Sequence, residues 1–295
     1  MTIELFNYYR DEYGPGDDDR MVISETAGIL NSIPVEFHSE EHLKRIFSLI
    51  DLTSLNSEDN EATARKLTDQ INGFSSRYPD IPPVAAVCVY PTLVEEIRNN
   101  LVDKRVKLAA VGAGFPSSQT FLSVKLAECE LLAKKGADEI DVVISVGKLL
   151  AGDYRFVLNE LILIREATQG CTLKVILETG ILRTALNIRL ASLIAMEAGA
   201  DFIKTSTGKG QVSATPEAVY VMLRSIRDFF SRTGRNVGIK PAGGIASVND
   251  SVAYYSIVNK VIGQDWIKPA LFRIGASRLA NNLIGAITGT DARYF

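Results

Sequence analysis

Histidine is nearly absent from this chain. Only two of the 295 residues are histidine, His38 and His42, and both precede residue 46, where the regular part of the sequence begins. Zinc sites and histidine-based acid–base pairs draw on imidazole groups. We therefore expect no metal or cofactor in the body of the chain, and proton transfer there would use Lys, Asp, Glu, Tyr and water.

Cysteine is also scarce. The three cysteines, Cys88, Cys129 and Cys171, are widely spaced and form no CxxC pair that could bind metal or exchange disulfides. All three lie in apolar stretches. They are predicted to be buried free thiols.

The chain has no excess of positive charge and no long apolar run. Its 32 Lys and Arg residues against 35 Asp and Glu give a formal net charge of −3. Nucleic acid and anionic membrane surfaces are therefore not expected partners. No stretch approaches the roughly 18 uncharged apolar residues of a membrane span, and the acidic start lacks a signal-peptide core. These features predict a cytoplasmic protein.

Short β-branched runs alternate with stretches of helical period from about residue 46. This alternation is typical of βα units around a parallel sheet, and eight units favour a closed barrel. No G-x-G-x-x-G follows the first run, which disfavours a dinucleotide-binding fold. The sequence thus predicts an α/β fold, a single (β/α)8 TIM barrel. The runs are 47–53, 84–90, 106–113, 138–145, 172–179, 201–207, 236–242 and 271–277.

The barrel is predicted to span residues 46–288, between an N-terminal extension (1–45) and a C-terminal tail (289–295). The extension contains the flexible segment "GPGDDD", and we expect it to cover one end of the barrel. Thr215 and Pro216 have the order expected for an N-cap and first helical position. Helices are predicted at 120–135, 153–168, 184–198 and 215–231.

Ionisable residues interrupt four neighbouring strands. Asp141 lies in the fourth, Lys174 and Glu178 in the fifth, Lys204 in the sixth and Lys240 in the seventh. Such residues are costly in a sheet covered on both faces unless they are paired or functional. The repeated "GAD" at 136–138 and 199–201 gives Asp141 and Lys204 equivalent positions. Period-two counting predicts that these groups converge inside the barrel, either as a catalytic cluster or as an ion-pair network that only holds the interior.

A lysine beside another cation is suited to nucleophilic chemistry. Free lysine has a pKa of about 10.4 and is almost wholly protonated at neutral pH. Burial and a nearby cation both favour the neutral amine. Lys204 and Lys240 lie in adjacent strands, so one can react while the other stays charged, and Asp141 could keep Lys240 protonated.

Glycine-rich segments follow the last three strands. They are "TGKG" (207–210), "PAGGI" (241–245) and "RIGASR" (273–278). Loops after the last strands of a barrel meet at one rim, where backbone N–H groups can hold a phosphate. Lys209 would add charge and Ser277 a hydroxyl. Each segment taken alone is equally consistent with a plain turn.

Several of these stretches, in this order, resemble the deoxyribose-phosphate aldolase family, which are class I aldolases on a (β/α)8 barrel. The resemblance covers roughly residues 46–278. It rests on "DLTSLN" (51–56), "AAVCVYP" (85–91), "ADEIDVVI" (137–144), "LKVILETG" (173–180), "GADFIKTSTGK" (199–209), "VGIKPAGGI" (237–245) and "FRIGAS" (272–277).

The resemblance implies catalytic roles for four of these residues. Lys204 would be the Schiff-base nucleophile, Lys240 the lysine that perturbs it, Asp141 the proton-transfer carboxylate and Lys174 a support for that network. Substrate-binding roles are implied for Asp51, Cys88, Thr207, Gly208, Lys209, Gly243, Gly244, Gly275 and Ser277.

Two further residues are candidates for the site, one in the C-terminal tail and one at the end of the last glycine-rich segment. Members of the family often end in a tyrosine that assists proton exchange, which makes Tyr294 a candidate. Arg278 stands where many relatives have a small hydroxyl residue. It could strengthen phosphate binding or block one side of the site.

The activity implied is metal-independent cleavage of 2-deoxy-D-ribose 5-phosphate. The partner is then a phosphorylated sugar, and a homo-oligomer, dimer or tetramer, is possible. Two alternatives remain open: a Schiff-base barrel aldolase for another phosphorylated aldehyde, and a catalytically silent barrel that binds phosphorylated metabolites. A metal-dependent aldolase is disfavoured by the histidine count.

Overall fold

Eight short parallel strands form a closed barrel in a computed structural model that describes residues 2–295. The strands pair in the order β7-β6-β5-β4-β3-β2-β1-β8, and bridges Ile239–Phe272 and Ala242–Gly275 join β7 to β8. Each predicted run contains one strand, so the predicted (β/α)8 barrel is confirmed. The strands are β1 (Ile50–Thr53), β2 (Ala86–Val89), β3 (Lys107–Gly112), β4 (Glu139–Val143), β5 (Thr172–Ile176), β6 (Phe202–Lys204), β7 (Gly238–Lys240) and β8 (Ile274–Ala276).

Helices surround the strands and form the outer layer. They are α1 (Thr2–Tyr13), α2 (Asp19–Asn31), α3 (Glu40–Phe47), α4 (Glu61–Arg77), α5 (Val94–Asn100), α6 (Leu122–Lys134), α7 (Val146–Leu150), α8 (Tyr154–Ala167), α9 (Thr179–Leu182), α10 (Ala185–Glu197), α11 (Pro216–Thr233), α12 (Val248–Ile262) and α13 (Arg278–Thr288). The four predicted helices correspond to α6, α8, α10 and α11. At the start of α11, Thr215 Oγ1 accepts a hydrogen bond from Ala218 N over 3.1 Å, as an N-cap should.

The strand register brings the ionisable residues onto the inside of the barrel. Asp141 pairs with Lys174 across β4 and β5, and Lys204 pairs with Lys240 across β6 and β7. Lys204 is aligned with Ile176 rather than with Lys174, because the strands of a barrel are staggered. It therefore sits closer to the carboxyl ends of the strands than Asp141 does.

The first two helices of the N-terminal extension pack on the outer helices, and cover of a barrel end by the extension stays a prediction. The ring of Tyr13 stacks on Phe229 of α11 at 6.1 Å, and its hydroxyl donates to Glu197 of α10. Asp19 accepts a hydrogen bond from the backbone N–H of Ala185. The sequence shows that these helices have apolar faces, but not which surface those faces cover.

Several general features follow from the same packing. Cys88, Cys129 and Cys171 are buried free thiols, as predicted, and burial raises the pKa of Cys129 to about 12. No helix within residues 2–295 is long and apolar enough to cross a membrane. The described residues also contain no group of three or more His, Cys, Asp or Glu side chains that could hold a metal ion.

Candidate active site

A network of charged side chains occupies the barrel interior. Each member exposes no more than 5% of its surface. Four members are cations and three are carboxylates, so the network balances in charge when one of its lysines is neutral. The members are Asp51, Glu139, Asp141, Lys174, Lys204, Lys240 and Arg273.

Asp141 is the centre of this network. Its Oδ1 accepts a hydrogen bond from Lys174 Nζ, and its Oδ2 accepts from both Lys204 Nζ and Lys240 Nζ, each over 2.8 Å. Burial by itself favours the protonated acid, but the three ammonium groups outweigh it and hold the pKa of Asp141 well below its usual value. Asp141 is therefore a carboxylate that touches all three lysines.

Lys204 differs from the other lysines in two respects. Burial, assisted by the charge of Lys240, lowers its pKa below the ordinary lysine value, although Asp141 acts in the opposite direction. It is also the one lysine of the interior network that lines an open cleft. A neutral amine at this position would be accessible to a ligand.

Lys240 and Lys174 remain cations. Burial disfavours their charge, but Asp141 and Asp51 outweigh it at Lys240, and Asp141 and Glu139 outweigh it at Lys174, so both pKa values are raised. Lys240 Nζ lies 2.5 Å from Asp51 Oδ2. Lys204 is therefore the lysine of the network that loses its proton most readily.

Sequence reasoning missed Glu139 and Arg273. Arg273 Nη1 lies 2.6 Å from Asp51 Oδ1, and Arg273 Nη2 lies 2.7 Å from Glu139 Oε1. Glu139 also contacts Lys174 over 2.5 Å. A signal was present for Glu139, because it is two residues before Asp141 and so on the same face of the strand. Arg273 precedes β8, and only the closed barrel shows that it reaches inward.

Glu178 does not join the lysines, contrary to the expectation from period-two counting. Strand β5 ends at Ile176, and Glu178 adopts a left-handed conformation with φ of +58°. This conformation interrupts the alternation of side chains. The carboxylate instead accepts hydrogen bonds from the hydroxyl of Thr207 over 2.6 Å and from its N–H over 3.3 Å.

The cleft above Lys204 has a volume of about 220 Å³ and no carboxylate side chain in its lining. All seven residues predicted for the substrate's phosphate and its loop line it, and Arg278 lines it too. Its basic residues are Lys209, Lys204 and Arg278. The seven predicted residues are Thr207, Gly208, Lys209, Gly243, Gly244, Gly275 and Ser277.

Glycine is required where two of these loops meet. Gly208 and Gly243 have φ values of +76° and +83°. A Cβ atom on Gly243 would lie 2.6 Å from Ser213 Oγ and 3.1 Å from the Cα of Gly208. The two backbones can therefore approach each other, and a ligand, only without side chains.

The charged and polar groups of the rim are arranged around this backbone. Lys209 Nζ donates a hydrogen bond to the carbonyl oxygen of Leu55 and so spans the mouth of the cleft. Ser277 is the N-cap of α13 and makes no side-chain capping bond. The first backbone N–H groups of α13 therefore face the rim without a hydrogen bond to the Ser277 hydroxyl. Such N–H groups at the start of a helix can bind an anion.

Two residues predicted to bind the substrate, and the tyrosine of the tail, do not line the cleft. Cys88 and Asp51 lie fully buried beneath it, Asp51 within the ion network. Tyr294 packs against Phe74 on the side of α4, where its hydroxyl donates to the carbonyl of Gln70 over 2.7 Å. Asn281 accepts a hydrogen bond from the Tyr294 N–H, which holds the tail there.

A parallel eight-stranded barrel whose carboxyl-terminal end carries a charged interior and an open cleft defines the class of (β/α)8-barrel enzymes. Within that class, residues 45–281 match the model of the DeoC/LacD family aldolases, and the chain belongs to this family. The protein is therefore an aldolase.

Named relatives agree with this assignment. A deoxyribose-phosphate aldolase of Homo sapiens is 43% identical over 271 residues, which cover 85% of this chain and 84% of the relative. One of Mus musculus is 40% identical over 282 residues, covering 89% and 87%. A solved structure, the tetrameric deoxyribose phosphate aldolase of Aeropyrum pernix, is 26% identical with a TM-score of 0.63 and covers 91% of this chain and 98% of that one.

Proposed function

We propose that this aldolase reversibly cleaves 2-deoxy-D-ribose 5-phosphate to acetaldehyde and D-glyceraldehyde 3-phosphate through a Schiff base on Lys204. The observation that carries the proposal is the position of Lys204. Its Nζ is buried beside Lys240, has a lowered pKa and opens onto a cleft whose rim has no carboxylate. The names of the relatives support the choice of sugar.

The chemistry starts with attack of the neutral Lys204 amine on C1 of the open-chain sugar. The carbinolamine loses water to give a protonated imine, which accepts the electron pair of the C2–C3 bond as that bond breaks. Loss of the proton from the C3 hydroxyl forms the aldehyde of D-glyceraldehyde 3-phosphate. The enamine left on Lys204 is protonated at C2 and hydrolysed, which releases acetaldehyde and regenerates the amine.

Asp141 and Lys240 are the groups suited to move these protons. Asp141 Oδ2 lies within 2.8 Å of both Lys204 Nζ and Lys240 Nζ. A carboxylate in this position can exchange protons with a bound water and with the C3 hydroxyl. Lys174, hydrogen-bonded to the other oxygen of Asp141, keeps that carboxylate ionised and oriented.

The phosphate is assigned to the glycine-rich rim. Backbone N–H groups of Gly208, Gly243 and Gly244 and the first turn of α13 would donate to its oxygens, with Ser277 and Lys209 adding a hydroxyl and a charge. Gly275 allows the backbone to pass close to Ala242. Binding at this end orients C1 toward Lys204 and takes no part in the bond changes.

The assembly and location of the protein are also proposals. The tetrameric relative from Aeropyrum pernix supports a homo-oligomer, either a dimer or a tetramer. The cytoplasmic location indicated by the composition stays a prediction.

Cleavage of 2-deoxy-D-ribose 5-phosphate with a chelator present, combined with borohydride trapping and peptide mapping, tests the proposal. We expect full activity and a label on Lys204, and no label in a Lys204→Met variant. Labelling of Lys240 or Lys174 would contradict the assignment of the nucleophile. Loss of activity on chelation would contradict a Schiff-base mechanism.

A further inference from the structure

A buried ion pair lies outside the barrel interior, between α6 and α8. Lys125 Nζ and Glu160 Oε1 are 2.7 Å apart, and the two side chains expose 1% and 3% of their surfaces. In the part of the chain that the structure describes, no other ion pair outside the interior has both partners so deeply buried. The pair has no part in the chemistry assigned to Lys204.

The pair connects two loops at the carboxyl ends of adjacent strands. Lys125 Nζ donates to Ser118 Oγ over 2.7 Å and to Ser145 Oγ over 3.1 Å. Ser145 in turn donates to the second oxygen of Glu160 over 2.7 Å. Ser118 belongs to the loop between β3 and α6, and Ser145 to the turn between β4 and α7. The ammonium group of Lys125 and both carboxylate oxygens of Glu160 therefore take part in the hydrogen bonds that hold these loops.

The loop after β3 needs such support. Ala113 and Ser118 have φ values of +54° and +58°, which non-glycine residues adopt only where their surroundings hold them. Glu128 accepts a hydrogen bond from the N–H of Gly114 over 2.9 Å. Phe115 therefore lies between a tether at Gly114 and a tether at Ser118.

Phe115 completes an apolar wall beside the cleft. It packs with Tyr90, at 6.3 Å between ring centroids, against a small buried cluster that contains Leu55, Cys88 and Val111. Leu55 lines the cleft. Cys88 lies close enough to Lys204 for that charge to act on its thiol. The wall is therefore next to the atoms that would be attached to Lys204 Nζ.

We propose that Lys125 and Glu160 are positioning residues that hold this wall closed, so that the enzyme prefers 2-deoxy sugar phosphates to their 2-hydroxy analogues. The inference rests on the proposed function, because it takes C1 of the sugar to be bonded to Lys204. C2 then lies one bond from C1, facing the apolar side. A hydroxyl on C2 would lose its water without gaining a partner there.

The size of the expected preference follows from the nature of the wall. A hydrophobic pocket rejects an added hydroxyl by about 100-fold. The wild-type protein should therefore favour 2-deoxy-D-ribose 5-phosphate over D-ribose 5-phosphate by roughly that factor in kcat/KM. A wall that can move should discriminate less.

The test is the ratio of kcat/KM for these two substrates in a Lys125→Met/Glu160→Leu double variant. Replacing a whole buried ion pair with apolar residues of similar size leaves no unpaired charge, so we expect the variant to fold. It removes the bonds to Ser118 and Ser145, and the ratio should fall from about 100-fold toward about 10-fold, the low end of what apolar pockets discriminate. A Ser118→Ala/Ser145→Ala variant keeps the ion pair, removes the same bonds and should lower the ratio in the same direction.

An Arg189→Met/Asp228→Leu variant is the matched control. This pair, 2.8 Å apart, joins α10 to α11 away from the loops after β3 and β4. The ratio of kcat/KM for the two substrates in this control variant should equal that of the wild type.

The outcomes separate the two proposals. Failure of the wild type to cleave deoxyribose 5-phosphate would overturn the proposed function. If the wild type cleaves deoxyribose 5-phosphate but the kcat/KM ratio is unchanged in the folded Lys125→Met/Glu160→Leu or Ser118→Ala/Ser145→Ala variant, only the positioning role is overturned. If the Lys125→Met/Glu160→Leu protein does not fold by circular dichroism, the serine variant decides alone.

Discussion

Lys204 Nζ and Lys240 Nζ donate hydrogen bonds to the same atom, Oδ2 of Asp141, each over 2.8 Å. Two ammonium groups that share one acceptor repel each other, and the network is already short of one negative charge. Lys240 is held charged by a second carboxylate, Asp51, whereas Lys204 has Asp141 alone. Of the two, Lys204 therefore gives up its proton more readily, and it is the lysine that lines the cleft.

The pH dependence of kcat/KM should show this directly. Attack requires the neutral amine, and the pKa of Lys204 is lowered from the ordinary value of 10.5. Activity should therefore rise with pH through a limb that lies below that value. The measurement is a pH profile of kcat/KM for deoxyribose 5-phosphate cleavage.

A Lys240→Met variant tests the cause of that shift. Without the neighbouring cation, only burial still opposes the attraction of Asp141 for the Lys204 proton, so the rising limb should move to higher pH. Each unit of movement lowers the neutral-pH rate about tenfold. Lys148→Met, at an exposed lysine, is the control and should keep the wild-type profile. An unmoved limb in Lys240→Met would refute the role of Lys240.

Substitutions at the rim should separate binding from chemistry. Lys209→Ala and Arg278→Ser each remove a cation from a cleft that has no carboxylate in its lining. Hydrogen bonds to charged groups contribute about 1.5–3 kcal/mol, which corresponds to KM values roughly 10- to 100-fold higher for deoxyribose 5-phosphate. Steady-state kinetics with deoxyribose, which has no phosphate, should show little change in Arg278→Ser.

Lys260→Ala, at an exposed lysine on α12, provides the comparison for these variants. A lower KM in Arg278→Ser would mean that the guanidinium blocks the phosphate site, the other role that the sequence left open for this residue.

Arg273 should matter chiefly for stability. Arg273→Met removes one cationic partner each from Asp51 and Glu139, whose closest remaining cations are Lys240 and Lys174 respectively. Breaking a buried ion pair from one side typically destabilises a protein by about 3–5 kcal/mol, a loss measurable by urea unfolding. Arg105→Met removes an arginine whose side chain is 60% exposed, so its effect should stay below about 1 kcal/mol.

The stability of the same variant should depend less on pH in the acid range than that of the wild type. Arg273 is one of the cations that hold the pKa of Asp51 below its ordinary value of 3.8 against the effect of burial. A carboxylate with a lowered folded-state pKa stabilises the protein above the unfolded-state value, and this contribution is lost as the pH falls. Arg273→Met reduces that lowering, so less stability remains to be lost on acidification. An unfolding free energy equal to that of the wild type would contradict this account.

The sequence alone determined the barrel and the inner face of its charged strands. Eight β-branched runs identified the strands, and alternation along a strand is a local property, so Asp141, Lys204 and Lys240 were correctly placed inside. The glycine segments were equally local signals, because a left-handed or closely approached backbone needs glycine at that position. The seven rim residues they predicted all line the cleft.

Only the tertiary structure decided which groups face each other. Arg273 reaches Asp51 and Glu139 because the closing of the barrel brings β8 beside β1, far apart in the chain. Glu178 leaves the lysine cluster because one left-handed residue changes the direction of its side chain. The extension and the tail, with Tyr294, lie on the outer helices because packing of amphipathic surfaces selects among faces that look alike in sequence. Which side chains face each other across a barrel depends on the stagger of its strands and on the closure of its sheet, and no local sequence pattern indicates either.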